Sequence, residues 1–212
     1  QSELEQVITG LRESVSGKVS INGVDVTNKK PQVIGKSHLA HIPSDRYKMG
    51  LLSDFTVAEN SVLQRVGEKP FTKDGFLDLK AIAREALSLV KRFDVRTPSI
   101  STHAGTLSGG NAQKLILARE LARNPKCLIA AQPTRGLDVS AIEYVHKQLI
   151  EQRDNGIAIL LFSTELTEIL QLSDRIAVMY DGEIVGIVDG KDADVLEIGL
   201  MMAGAKSKSS TM

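Results

Sequence analysis

The stretch Thr106-Leu-Ser-Gly-Gly-Asn-Ala-Gln-Lys114 decides the reading of this sequence. Ser108 is of the type that caps helix N-termini, and residues 114–123 carry a helical pattern, with Leu117, Leu121 and Ala118, Ala122 along one side. Gly109 and Gly110 follow the cap, so the first helical turn is expected to present backbone N–H groups with no Cβ in the way. A serine hydroxyl beside such a helix start suits an anion, a phosphate above all. The same three residues also suit an ordinary loop and cap. The neighbouring sequence has to choose between the two.

Beyond Pro125, the apolar run Cys127-Leu-Ile-Ala-Ala131 reads as a buried strand of the parallel type. It ends in Gln132-Pro-Thr-Arg-Gly-Leu-Asp138, and a new helix pattern starts at once. In this order and spacing the three segments resemble the nucleotide-binding domains of ABC transporters. Leu107-Ser-Gly-Gly-Asn111 corresponds to the signature, Leu128 to Gln132 to the Walker B strand, and Arg135-Gly-Leu-Asp138 to the D-loop. The likeness runs from Gln1 to about Gly204. It is greatest to the second ATPase half of tandem importers for simple sugars and nucleosides, the nucleoside type in particular. The resemblance implies an α/β fold with a P-loop NTPase-like ABC ATPase core. That is a mostly parallel sheet flanked by helices, with a small antiparallel β part and a helical subdomain over about residues 55–110.

Length and charge agree with one such domain. The 212 residues are enough for a proper core, and 26 basic and 26 acidic residues cancel, which argues against a nucleic-acid surface. The single cysteine, Cys127, sits inside the apolar strand and reads as a small buried core residue. No signal peptide opens the chain and its apolar runs are too short to span a bilayer. An intracellular chain is expected, meeting a membrane only through a partner.

The remaining segments follow in order. Residues 16–26 alternate about Asn22-Gly23, a hairpin signal. Leu39 to Pro43 reads as a short strand, and Thr56 as the cap of a helix over Val57–Leu63. Gly67 to Gly75 reads as a polar loop. Leu79 to Phe93 is amphipathic, with Ile82, Ala86, Val90 and Phe93 on one face. Ile142, Val145 and Leu149 mark a helix closed by Asn155-Gly156, with His146 on its surface. Ile157 to Ser163 reads as a second buried strand. Arg175–Tyr180 and Glu183–Val188 flank the turn Asp181-Gly182, and Asp192 to Met202 is a short terminal helix. One domain over 1–204 is expected, followed by a disordered polar tail over 205–212.

The site residues follow from the resemblance. It puts Gln1 in the place of the Walker A lysine and Ser2 in that of its hydroxyl residue, with the glycine-rich loop and its strand expected upstream. With that strand outside the chain, residues 1–11 are expected to be loosely held, and one of the two apolar strands to keep an unpaired edge. Ser44 falls at the Q-loop glutamine, Ala131 at the Walker B aspartate, Gln132 at the catalytic glutamate and Thr164 at the switch histidine. Each substitution removes a charge, a metal ligand or reach from this chain's own ATP site. Ser108, Gly109, Gly110 and Asn111 are expected to serve the partner's ATP, with Asp138 organising the interface. ATP and Mg²⁺ are thus expected in the full assembly, with no metal ligand on this chain. The implied partners are a second ABC domain, transmembrane permease subunits and, indirectly, a substrate-binding protein, at the cytoplasmic face of the membrane. Two other readings stand beside this one: a soluble tandem ABC ATPase without a membrane partner, and a docking domain that never meets nucleotide.

Overall fold

The computed structural model describes residues 1–204, so the tail expected over 205–212 lies outside the described residues. The chain opens with α1 (Ser2–Ile8), whose Leu4 and Ile8 pack against a buried cluster that includes Ile34 and Ile129. Glu5 of α1 is itself buried and hydrogen-bonds His41 Nε2 at 2.9 Å. The segment expected to be loosely held is therefore docked, by an apolar face and by a polar pin.

Local signals account for most of the elements that follow. Strands β1 (Ser20–Ile21) and β2 (Val24–Asp25) form a short hairpin whose turn residues, Asn22 and Gly23, both have positive φ, as a type I′ turn requires. Next come α2 (Pro31–Gly35), β3 (Leu39–Ile42) and a π-helical turn over Arg46–Gly50. Helix α3 (Val57–Val62) starts at Thr56 in a capping box with Glu59. The polar loop expected over 67–75 instead begins a small hairpin, β4 (Thr72–Lys73) and β5 (Phe76–Leu77). Asp74 and Gly75 turn it in the left-handed region. Helix α4 (Leu79–Arg92) buries Ile82, Ala86 and Leu89.

The second half carries α5 (Gly109–Leu121), β6 (Cys127–Ala131), α6 (Val139–Asp154) and β7 (Ala158–Phe162). It ends with α7 (Leu166–Leu172), the hairpin of β8 (Arg175–Tyr180) and β9 (Glu183–Asp189), and α8 (Val195–Met202). Strands β3, β6 and β7 form a parallel sheet in that order, with Leu39 opposite Cys127 and Cys127 opposite Ala158. The central strand divides the core by its two-residue period. Leu128 and Ala130 join Leu115, Ile116 and Leu117 of α5 and Val145 and Leu149 of α6, whereas Ile129 and Ala131 join the cluster beneath α1 and α2. Each fully buried leucine or isoleucine contributes about 1.5–3 kcal/mol. A buried Glu120 crosses this packing, accepting from Gln64 Nε2 at 2.8 Å, Arg119 Nε at 3.1 Å and Arg123 Nη1 at 3.2 Å.

Two further expectations need correction. Strand β7 is not a buried strand: Leu160 is 40% exposed, and among the described residues β7 pairs with β6 on one edge only. Across a cleft of about 560 Å³, lined by Leu160, Leu161, Ile169, Ile176 and Val178, stands the β8–β9 hairpin, and among the described residues β8 pairs only with β9. The unpaired edge anticipated for one of the two apolar strands thus belongs to β7, since β6 is paired on both sides. Cys127 is partly rather than fully buried, and desolvation raises its thiol pKa above the ordinary value.

Candidate functional site

The N-terminus of α5 is built by Ser108. Its Oγ accepts from the Asn111 backbone N–H at 3.4 Å and from Asn111 Nδ2 at 2.9 Å. With those two bonds accepted, the hydroxyl proton is the group left to donate outward. Asn111 Oδ1 in turn accepts from the Arg96 N–H at 2.7 Å, so the side chain expected near a nucleotide also braces its own chain. The two glycines have packing reasons as well. A Cβ on Gly109 would lie 3.1 Å from Arg46 Nη1, and one on Gly110 would lie 3.0 Å from Ala141 Cβ and 3.8 Å from Asp138 Oδ2. The signature therefore presses against the start of α6.

Asp138 caps α6. Its Oδ1 accepts from Ser140 Oγ at 2.7 Å and from the Ala141 N–H at 2.9 Å. Those two bonds, the Ser140 hydroxyl first, hold its carboxyl below the ordinary pKa and keep it ionised.

A second group gathers where β6 and β7 end. Gln132 adopts positive φ, 47°, an unusual backbone state for a side chain of this size. Its Oε1 accepts from Thr164 Oγ1 at 3.2 Å and from the Thr164 N–H at 3.4 Å. Gln1 and Thr164 both line the cleft between β7 and β8. Ser2 begins α1 next to Gln1. Ser44 lies just past the end of β3, two residues before Arg46.

The contacts that join these groups lie in residues whose importance the sequence reading missed. Arg46 donates from Nη1 to the Gly109 carbonyl oxygen at 3.2 Å and from Nη2 to that of Arg135. Glu168 of α7 is buried, and its Oε1 accepts from Thr134 Oγ1 at 2.8 Å and pairs with His146 Nε2 at 3.0 Å. His146, read as a surface residue, thus ties α6 to α7 beneath the loop over 132–138. A cation two residues after the Q-loop position was the one sequence signal for Arg46, and nothing local marks Glu168.

Magnesium does not fit the end of β6. Ala131 is a methyl buried among apolar neighbours, Gln132 is a neutral amide, and among the described residues no three His, Cys, Asp or Glu side chains gather to hold a metal ion. On the other face, Ser108 caps a helix start that carries no side chains at 109 and 110, the kind of position that suits an anion.

A parallel sheet whose central strand runs into a Gly-Leu-Asp turn, set against a Ser-Gly-Gly-capped helix, defines an α/β domain of the nucleotide-handling class. Residues 1–135 match the family model described as ABC transporter. The chain is 51% identical over 210 residues to the guanosine import ATP-binding protein NupO of Bacillus subtilis. That match covers 99% of this chain and 41% of the relative. It is 49% identical over 204 residues to the nucleoside import ATP-binding protein NupA of Lactococcus lactis, covering 96% of this chain and 40% of that protein. Among solved structures, a nucleotide-free ATP-binding cassette from an ABC transporter superposes with a TM-score of 0.74 at 25% identity, over 93% of this chain and 82% of that one. The chain belongs to the ABC transporter family and has the ABC ATPase fold. It spans about two-fifths of the length of these curated relatives.

Proposed function

We propose that this chain is the second ATP-binding half of an importer for nucleosides or simple sugars. It works at the cytoplasmic face of a membrane through permease subunits and, through them, a substrate-binding protein. Its signature serves the ATP site of the other half, and its own site is idle. The names of the two nucleoside importers, and the chain's share of their length, support the substrate class and the tandem arrangement. Among the described residues no helix is long and apolar enough to cross a membrane, which fits attachment through partners.

The observation that carries this reading is the asymmetry between the two faces. On the signature face, the Ser108 hydroxyl keeps its proton free to donate, two glycines follow it, and an ionised Asp138 stands beside them. On the other face, the amide oxygen of Gln132 is taken up by Thr164, and Ala131 offers no ligand. MgATP held by the other half supplies the reacting phosphoryl group. Ser108 and the α5 N–H groups donate to its γ-phosphate, and α5 contributes the positive end of its dipole. Gln132, neutral and already bonded, orients at most a water and removes no proton from it. The finer reading also gives the cleft between β7 and β8 to an apolar strand ahead of Gln1, followed by the loop of which Gln1 and Ser2 are the last residues. Gln1 among the residues lining that cleft supports it.

The test is photo-crosslinking of an azido-ATP in the full assembly, together with turnover by this chain alone. Labelling of the peptide over 106–114, with no phosphate release above background from the chain alone, is the expected result. Turnover near one per second in proportion to this chain would overturn the idle-site reading, and labelling that avoids 106–114 would overturn the signature's role.

A further inference from the structure

The π-helical turn over Arg46–Gly50 packs on α5, and its first residue reaches two segments distant in sequence. Arg46 Nη1 donates to the Gly109 carbonyl oxygen at 3.2 Å, 63 residues away, and Nη2 to that of Arg135, 89 residues away. Tyr47 adds a third tie, donating its hydroxyl to the Leu107 carbonyl oxygen at 3.0 Å. The turn is held in shape by Asp45, which accepts from the N–H groups of Tyr47 at 3.2 Å and Lys48 at 2.9 Å. Gly50 closes the turn where a Cβ would strike Ile116 Cδ1 at 2.5 Å, so the segment is pressed onto the helix.

The guanidinium is half-buried, and among the described residues no salt bridge includes it. Burial is the largest influence on it and pulls its pKa down, with Tyr47 and Asp45 opposing. Arginine stays charged regardless, so a cation is held here on carbonyl oxygens rather than by a carboxylate. A planar fork of five donors can grip two carbonyls at a set separation, whereas a lysine ammonium on a flexible stem cannot.

We infer that Arg46 is a positioning residue for the signature site: by gripping Gly109 and Arg135 together, it makes the signature and the D-loop one rigid surface for the partner. Gly110 already seats the start of α5 against Ala141 and Asp138, and Arg46 closes the remaining side. The inference rests on the reading that this face meets the partner's nucleotide. Without the fork, the loops over 106–111 and 134–138 have to be ordered anew at every closure. That cost falls on turnover more than on the nucleotide's own contacts, which the other half makes.

The experiment compares Arg46→Lys, Arg46→Gln and Ser108→Ala in the full-length polypeptide assembled with its permease subunits. The readouts are kcat and KM for ATP, the melting temperature, and hydrogen exchange over 134–138. For both Arg46 variants, kcat is expected to fall roughly tenfold or more, the worth of a charge-assisted hydrogen bond, with KM changed by less than about threefold. Exchange over 134–138 speeds up while the melting temperature holds. Full activity of Arg46→Lys, or activity lost only in step with melting temperature, would overturn the inference. If Ser108→Ala is inactive and the Arg46 variants are unimpaired, Arg46 alone loses its role. If Ser108→Ala is fully active, the signature reading beneath it fails instead.

Discussion

Gln132 and Thr164 close on each other, the Gln132 amide oxygen accepting from the Thr164 hydroxyl at 3.2 Å. One stands at the end of β6 and the other just beyond β7, where the resemblance calls for a glutamate and a histidine. On the proposed reading, the pair spends on itself the hydrogen bonds that a working site would direct at water and phosphate.

Substitutions on the two faces should therefore differ in consequence. In the full assembly, Ser108→Ala is expected to lower ATP turnover roughly tenfold or more, and Gln132→Ala to change it by less than about twofold. Gly109→Asp should be the most damaging, because its carboxylate would meet Arg46 Nη1 and draw it off the carbonyl oxygens it holds. Phosphate release at saturating ATP measures all three. Equal losses from Gln132→Ala and Ser108→Ala would show the assignment of the two faces to be wrong.

Glu120 provides the stability test. It is fully buried and answers Gln64, Arg119 and Arg123, with the His41 N–H at 3.3 Å. Glu120→Ala leaves Arg119, itself buried, without its carboxylate, at an expected cost of about 3–5 kcal/mol. Urea unfolding of the variant and of the unaltered chain gives the number, and a change below about 1 kcal/mol would contradict a network that is essential to the core.

Asp138 should titrate low. Its hydrogen bonds depress the folded-state pKa below the ordinary 3.8. The cap therefore stabilises α6 at pH values above 3.8 and is lost as pH falls through the lower, folded value. Carboxyl carbon shifts followed through acid should give a midpoint under 3.8, and Asp138→Asn should keep the cap while removing that titration. A midpoint at or above 3.8 would count against the hydrogen-bonded cap.

The open edge of β7 predicts self-association of the isolated chain, since an apolar, uncharged strand edge is a template for another. Leu160→Lys places a charge in the cleft at a position already 40% exposed, so folding should survive it. Sedimentation should show the unaltered chain as larger species and Leu160→Lys shifted toward monomer. A monomeric unaltered chain would refute the expectation.

Much of the architecture was legible because its signals are local. Ser108 and Thr56 are side chains that bond their own helix starts, and Asn22-Gly23 and Asp181-Gly182 carry the positive φ that tight turns need. The apolar run over Ile157–Phe162 misled for the converse reason. Composition tells how a strand prefers to be covered, not whether a neighbour arrives to cover it. The β4–β5 hairpin was overlooked because two residues per strand leave no periodicity to see. The candidate positions could be read one by one, but their bonds could not. Gln132 to Thr164, Arg46 to Gly109 and Glu168 to His146 each join segments that only the tertiary fold brings together.

The parallel order β3, β6, β7 also imposes a timetable on the growing chain. Strand β3 has its partner only when residues 127–131 have been made, and the intervening chain holds α3, α4 and α5, which pack on one another. Helices form from near neighbours within microseconds, whereas pairing across so long a stretch is slow. During synthesis the helical unit is thus complete while Leu39–Ile42 still waits. The nascent chain must keep that apolar segment from other chains until β6 emerges.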